Sequence, residues 1–166
     1  MALFSCHGGI LCYAEDVSIK ASKKPHRVLR FKRRGASLGL TATRTEELIR
    51  QIERGLAFKS LRTLEALSGV DALAIASVIG IPERTLARRK TAGRLSPHES
   101  ERLFRISTVF EKAVELFEGD IPAAVSWLTA PKSALDNHAP LAYSRTEVGA
   151  REVENLIGRI EHGVFS

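Results

Sequence analysis

The sequence predicts an all-α fold, and three observations carry that prediction. From residue 43 onward, apolar residues recur three and four positions apart. No stretch shows the sustained polar–apolar alternation of a half-buried strand, and glycines at 55, 69, 80 and 119 close the periodic stretches as helix stops do. Composition agrees: aromatic residues are only 6% of the 166, and Ala, Leu, Arg and Glu, all good helix formers, are frequent.

Each element has a local chemical cause. In TRTEELIRQIERG, Leu48, Ile49 and Ile52 share a helical face and Gly55 supplies a left-handed stop. SLRTLEALSG repeats Leu61, Leu64 and Leu67 before Gly69. DALAIASVIG is a short apolar helix from an Asp71 cap to Gly80. IPERTLARRK opens the next with Pro82 in its first turn, where the missing N–H costs nothing. A boundary falls at AGRLSPHESERL, where Ser96 and Glu99 make a capping box around Pro97. The helix begun there carries Leu103, Ile106, Phe110, Ala113, Val114 and Phe117, stops at Gly119, and is the expected spine of the second half. Asp120 caps a helix with Val125, Leu128 and Trp127, the last read as a core anchor. Pro131 and Pro140 break the stretch after that helix into short turns. Thr146 caps a final helix with Gly149, Val153, Leu156, Ile157 and Ile160 inside.

Before Thr43 the period fails. KASKKPHRVLRFKRRGASLG is a basic run broken by Pro and Gly, so residues 1–42 are expected to form a disordered arm, or an over-long assigned start. Such an arm either touches phosphate or is merely solvated. The expected units are therefore the arm (1–42), a compact helical module (43–95) and a second helical domain (96–166).

Charge divides along the same lines. Residues 1–40 hold eight Lys/Arg against two Asp/Glu, residues 41–95 ten against six, and residues 96–166 seven against eleven. A basic front suits a polyanion, and an acidic rear suits a protein partner or a plain solvated surface. Cys6, Cys12 and His7 are too few and wrongly spaced for a closed zinc site, so two free thiols and no metal or cofactor are expected. MALFSCHGGILCYAED makes a poor signal peptide, and no stretch approaches the ~18 apolar residues of a membrane span. A soluble, cytoplasmic protein without a membrane partner is expected. Histidines 7, 26, 98, 138 and 162 are scattered, and adjacent Glu161 and His162 point to different helix faces, which argues against an enzyme.

Residues 71–90 have the spacing of a helix-turn-helix. Ala76, four before Gly80, allows close helix approach, and Gly80 supplies the left-handed turn. Ile75, Ile79, Ile81 and Leu86 fill the wedge. On the second helix Arg84, Thr85 and Arg88 share a face, with Arg89 and Lys90 at its carboxyl end. Arg89 departs from the pattern, because the ninth position after the glycine is usually apolar. Helix-turn-helix proteins put the amino-terminal side of this helix into the major groove, where arginine can bind guanine bidentately for ~1–3 kcal/mol of discrimination, and Lys90 suits phosphate. The plain alternative is a basic solvated helix in an ordinary bundle. One short helix makes few phosphate contacts, so DNA binding implies a dimer.

RTLARRK through RLSPHESERL, then SWLTAPKSAL and PLAYSRTEVGAREVENLIGRIEHGVFS, closely resemble the Xre/MbcA/ParS family of antitoxins, partners of RES-domain toxins in bacterial type II toxin–antitoxin pairs. The resemblance covers about residues 45–166 and is most specific at the carboxyl end. Asp136 and Asn137 stand where many relatives have Gly-Gly, and both tolerate left-handed backbone. The resemblance implies an Xre-like helix-turn-helix followed by a toxin-binding domain over 96–166. It implies a RES toxin similar to NAD-consuming and ADP-ribosylating enzymes, whose NAD cleft that domain covers. It also implies binding to the operator DNA of the protein's own operon; with the dimer that DNA binding requires, a homodimer within a hetero-oligomeric complex is expected. Carried onto this chain, the covering face would include Arg159, Glu161, His162, Gly163, Val164, Phe165 and Ser166. Burying Val164 and Phe165 in a partner would contribute roughly 3–6 kcal/mol, too little for a whole interface. Two alternatives stand beside this: Phe165 folds back under Trp127, or the protein is a stand-alone repressor whose second half dimerises or senses a ligand.

Overall fold

The computed structural model describes residues 30–163, and the regular elements among them are all helical. They are α1 (Thr45–Glu53), α2 (Phe58–Ser68), α3 (Ala72–Val78), α4 (Glu83–Ala92), α5 (Pro97–Leu116), α6 (Ile121–Thr129), α7 (Pro140–Tyr143) and α8 (Glu147–Glu161), with short 3-10 turns at Ala36–Leu38 and Ser133–Leu135. Extended pairing among the described residues is limited to isolated bridges at Ala57–Arg94 and Lys132–His138.

The helix starts rest on the caps the sequence offers. Asp71 Oδ2 accepts from Leu73 N at 2.9 Å, Asp120 Oδ1 from Ala123 N at 3.0 Å, and Thr146 Oγ1 from Gly149 N at 3.1 Å. At α5 the capping box closes both ways: Ser96 Oγ accepts from Glu99 N at 3.3 Å and Glu99 Oε2 accepts from Ser96 N at 2.7 Å, with Pro97 at the first helical position. Pro82 precedes α4 as its N-cap residue rather than lying in its first turn. Helix α5 ends at Leu116, short of Gly119, because Glu118 and Gly119 both take positive φ (53° and 91°) and turn the chain into Asp120. Asp136 and Asn137 take the left-handed backbone expected of them, at φ 51° and 58°.

Helix α5 is the spine. Its Leu103, Ile106, Val109, Phe110, Ala113 and Val114 are buried, and α1, α6 and α8 pack around it. One buried cluster runs from Leu61, Ile75 and Ile79 through α5 to Val153 and Ile157. Residue 96 therefore marks a helix start within one core, not a gap between two. Trp127 is half-buried at the rim, its ring 6.4 Å from that of Phe117 and the Lys132 ammonium 5.5 Å from its centroid. No helix among the described residues is long and apolar enough to cross a membrane.

The expected arm is shorter than residues 1–42. Residues 35–40 dock on α2 and α5, with Ser37 wholly buried, Leu38 2% exposed, and the Phe31 ring 6.1 Å from that of Phe110. The anchor is Glu111 of α5, which accepts from Ser37 N (2.8 Å), Ser37 Oγ (2.6 Å) and Gly35 N (3.1 Å). Burial raises the Glu111 carboxyl above its ordinary range, and these three donors only partly offset it. The expectation of a free arm fails at 35–40 because a Gly-Ala-Ser-Leu motif within the basic run finds its partner 74 residues away. Residues 1–29, including Cys6, His7 and Cys12, lie outside the described residues.

Helix α1 also differs. Of its apolar face, Ile52 packs against the core, Leu48 is half-buried, and Ile49 is 48% exposed, so the described residues cover only one end of that face.

Candidate nucleic-acid and partner interfaces

Helices α3 and α4 meet at Gly80, whose φ of 74° is a conformation a side chain would resist. Gly80 N donates to Ser77 O at 3.1 Å and Ile81 N to Ala76 O at 2.8 Å. Ala76, Ile75, Ile79, Ile81 and Leu86 are all buried, so the wedge that sets the angle between the helices forms from the residues the spacing required. Arg102 of α5 adds a tie invisible in the local sequence: its Nη1 donates to Ile79 O at 3.2 Å, satisfying a carbonyl at the end of α3.

On the outer side of α4, Arg84, Arg88 and Lys90 are exposed, Thr85 is half-buried beside them, and none of the three cations forms an ion pair among the described residues. Arg89 is different. It turns to α5, its Nε 2.8 Å from Glu99 Oε2 and 3.1 Å from Oε1. Burial alone would raise the Glu99 carboxyl, but the Ser96 N–H and Arg89 outweigh it and hold that carboxyl below its ordinary range. The structure thus takes Arg89 out of the expected solvent-facing set and makes it the link from the end of α4 to the cap of α5. This accounts for arginine at a usually apolar position: its charge is matched by the capping-box glutamate.

At the other end, α8 spends Val153, Leu156 and Ile157 on the core. Two ion pairs fix it to α5, Lys112 Nζ to Glu154 Oε2 at 2.6 Å and Arg105 Nε to Glu147 Oε2 at 2.8 Å. Arg105 also reaches Glu101 at 3.2 Å and Arg145 O at 3.3 Å. The Arg151 hydrogen bond, opposed by slight burial and helped by Arg105, lowers the Glu147 carboxyl. Gly163 closes α8 at φ 66°, its N–H donating to Ile160 O at 3.2 Å. Arg159, Glu161, His162 and Gly163 are exposed together at this last turn. Val164, Phe165 and Ser166 lie outside the described residues, so neither the projecting tail nor its packing under Trp127 is seen.

Three ties are not legible in the sequence: those of Arg102 and Arg105, and the pairing of Glu99 with Arg89. The three-residue spacing of Arg102 and Arg105 on one helix is legible, but their acceptors lie 23 and 42 residues away in the chain. Among the described residues no group of three His, Cys, Asp or Glu side chains is placed to hold a metal ion.

Comparison with known proteins assigns both regions. Residues 47–107 match a family model described as the antitoxin Xre-like helix-turn-helix domain, and residues 112–163 match the antitoxin Xre/MbcA/ParS C-terminal toxin-binding domain. Both matches include part of α5. The chain is 40% identical over 130 residues to an Antitoxin Xre of Yersinia enterocolitica, covering 78% of this chain and 88% of that protein. It is 41% identical over 93 residues to an Antitoxin Xre of Photorhabdus laumondii, covering 55% of this chain and 63% of the relative. A third, from Pseudomonas putida, is 33% identical over 84 residues, covering 50% and 52%.

Proposed function

Because the chain belongs to the Xre antitoxin family, we propose that it neutralises a RES-domain toxin of a type II pair and represses its own operon. The family is one of regulatory, toxin-binding proteins, and the chain is not an enzyme. The toxin is an NAD-consuming or ADP-ribosylating protein, and the antitoxin acts in the cytoplasm by covering its NAD cleft.

One observation supports the toxin half most. Helix α8 is pinned to α5 by its inner face and two ion pairs, yet leaves Arg159, Glu161 and His162 exposed directly before the Val164–Phe165 tail. A helix held this firmly can present its end as a preformed plug, with little ordering cost on binding. The two apolar side chains contribute roughly 3–6 kcal/mol, and the outer faces of α5 to α8 supply the remaining area. On the DNA side, the exposed α4 face offers Arg84, Thr85 and Arg88 to the major groove and Lys90 to phosphate, with Arg89 positioning the helix from behind. A homodimer brings two such helices to an operator.

Co-expression with a RES-domain protein from the adjoining reading frame tests this reading. The two should purify together and cell growth should recover. Deleting residues 163–166 should weaken neutralisation while leaving DNA binding intact, and undiminished neutralisation would make the tail purely structural. A chain that retards its promoter fragment but ignores the RES protein would be the stand-alone repressor instead.

A further inference from the structure

We propose that the groove between the end of α1 and the start of α2 is a phosphate seat that grips the DNA backbone beside the helix-turn-helix. The inference rests on the DNA-binding reading and adds a second contact surface to it. Arg54, Lys59 and Arg94 line the groove together with Gln51, Ser60 and Thr63, and no acidic side chain does. Among the described residues, none of the three cations is in an ion pair.

The groove is built rather than incidental. Phe58 N donates to Gly93 O and Leu95 N to Leu56 O, each at 2.9 Å, stapling the α1–α2 link to the chain leaving α4. Arg94 Nη1 donates to Arg54 O at 3.0 Å, and Leu56 N donates to the buried Ser100 Oγ at 2.8 Å. The three cations therefore stand on backbone that moves with α4.

Position selects the ligand. Arg94 lies four residues after Lys90, so the groove continues from the carboxyl end of the recognition helix. Its other wall is Leu38–Leu40, and the chain leading into that wall carries exposed Arg30, Lys32, Arg33 and Arg34. Positive side chains thus recur from the N-terminal segment through the groove to α4. A repeating polyanion fits such a series better than one small anion does. A duplex already engaged by α4 is the polyanion at hand, and an acidic protein partner is the outcome that would contradict this. Phosphate contacts fix register without reading sequence, so the seat should contribute affinity and salt dependence but little discrimination.

The test uses the full chain and a fluorescent mixed-sequence duplex of about 30 base pairs, titrated between about 50 and 200 mM KCl. Replacing Arg54→Gln with Lys59→Gln should weaken binding about tenfold or more and flatten the log–log salt slope by about 2, at roughly 0.9 per lost contact. The charge-keeping pair Arg54→Lys with Lys59→Arg should retain the slope. Lys59→Gln alone, at an exposed side chain, should flatten it by about 0.9 without disturbing the fold. A wild-type slope in the glutamine variants overturns the inference and leaves the helix-turn-helix reading standing, provided Arg84→Ala with Arg88→Ala abolishes preference for the promoter fragment. Loss of RES-protein binding with unchanged DNA binding also overturns it. If the wild-type chain binds neither duplex, both readings fall.

Discussion

Two glycines on α8 should answer the same substitution in opposite ways. A Cβ at Gly149 would lie 2.0 Å from the Tyr143 carbonyl oxygen, whereas one at Gly158 meets nothing within 4 Å. Gly149→Ala should cost about 1–3 kcal/mol through forced displacement of backbone. Gly158→Ala should stabilise by about 0.5–1 kcal/mol by restoring helix propensity. Urea titrations of both variants check the pair, and equal effects would mean that α7 and α8 do not meet this closely. Glu111 gives the pH prediction at this scale. Its folded carboxyl is raised, so its contribution is fully present below the ordinary carboxylate range and is lost as pH rises through the raised value. Glu111→Gln keeps an acceptor for Ser37 but presents an amide to Gly35 N–H, and it cannot ionise. The stability advantage of the wild type over this variant should therefore shrink as pH rises from the ordinary carboxylate range through the raised value. An advantage that grows with pH would contradict the assignment. The sequence does not disclose this pairing: Glu111 falls on a helix, and only the fold brings residues 35–37 to it.

Helices were the most legible scale, because their signals are local. Asp71, Ser96, Asp120 and Thr146 all cap as their positions imply, and the wedge around Gly80 closes with the side chains that spacing selects. What escaped were pairings between elements. The 35–40 segment reads as part of a basic arm because its apolar content is slight and its partner is remote. Ile49 reads as inward because helical period reports a face and not what covers it. Arg89 reads as one of a basic cluster, yet the capping box of the next helix claims it. Helix α4 should accordingly show two behaviours. Arg84→Ala with Arg88→Ala should leave stability within about 0.5 kcal/mol of wild type and abolish promoter retention in a gel shift at moderate salt. Arg89→Ala should lower the melting temperature, because it leaves Glu99 half-buried without its cation. An unaltered gel shift in the double variant would move base reading away from α4.

Across the whole molecule, charge and function divide while the core does not. The basic front carries the helix-turn-helix and the acidic rear the toxin-binding domain, yet both are built on α5. Arg102 on that helix holds the turn between α3 and α4, and Arg105, three residues on, holds the first turn of α8. Period and charge disclosed the architecture and the polyanion, but the toxin entered only through the resemblance of the carboxyl-terminal signature, since an exposed helix end carries no name for its partner. Neutralisation is best measured on purified RES toxin, assayed for NAD loss while the full chain is titrated in. NAD loss should stop once antitoxin reaches a fixed stoichiometric ratio to toxin. NAD loss that continues unchanged under a saturating excess of the chain would contradict it.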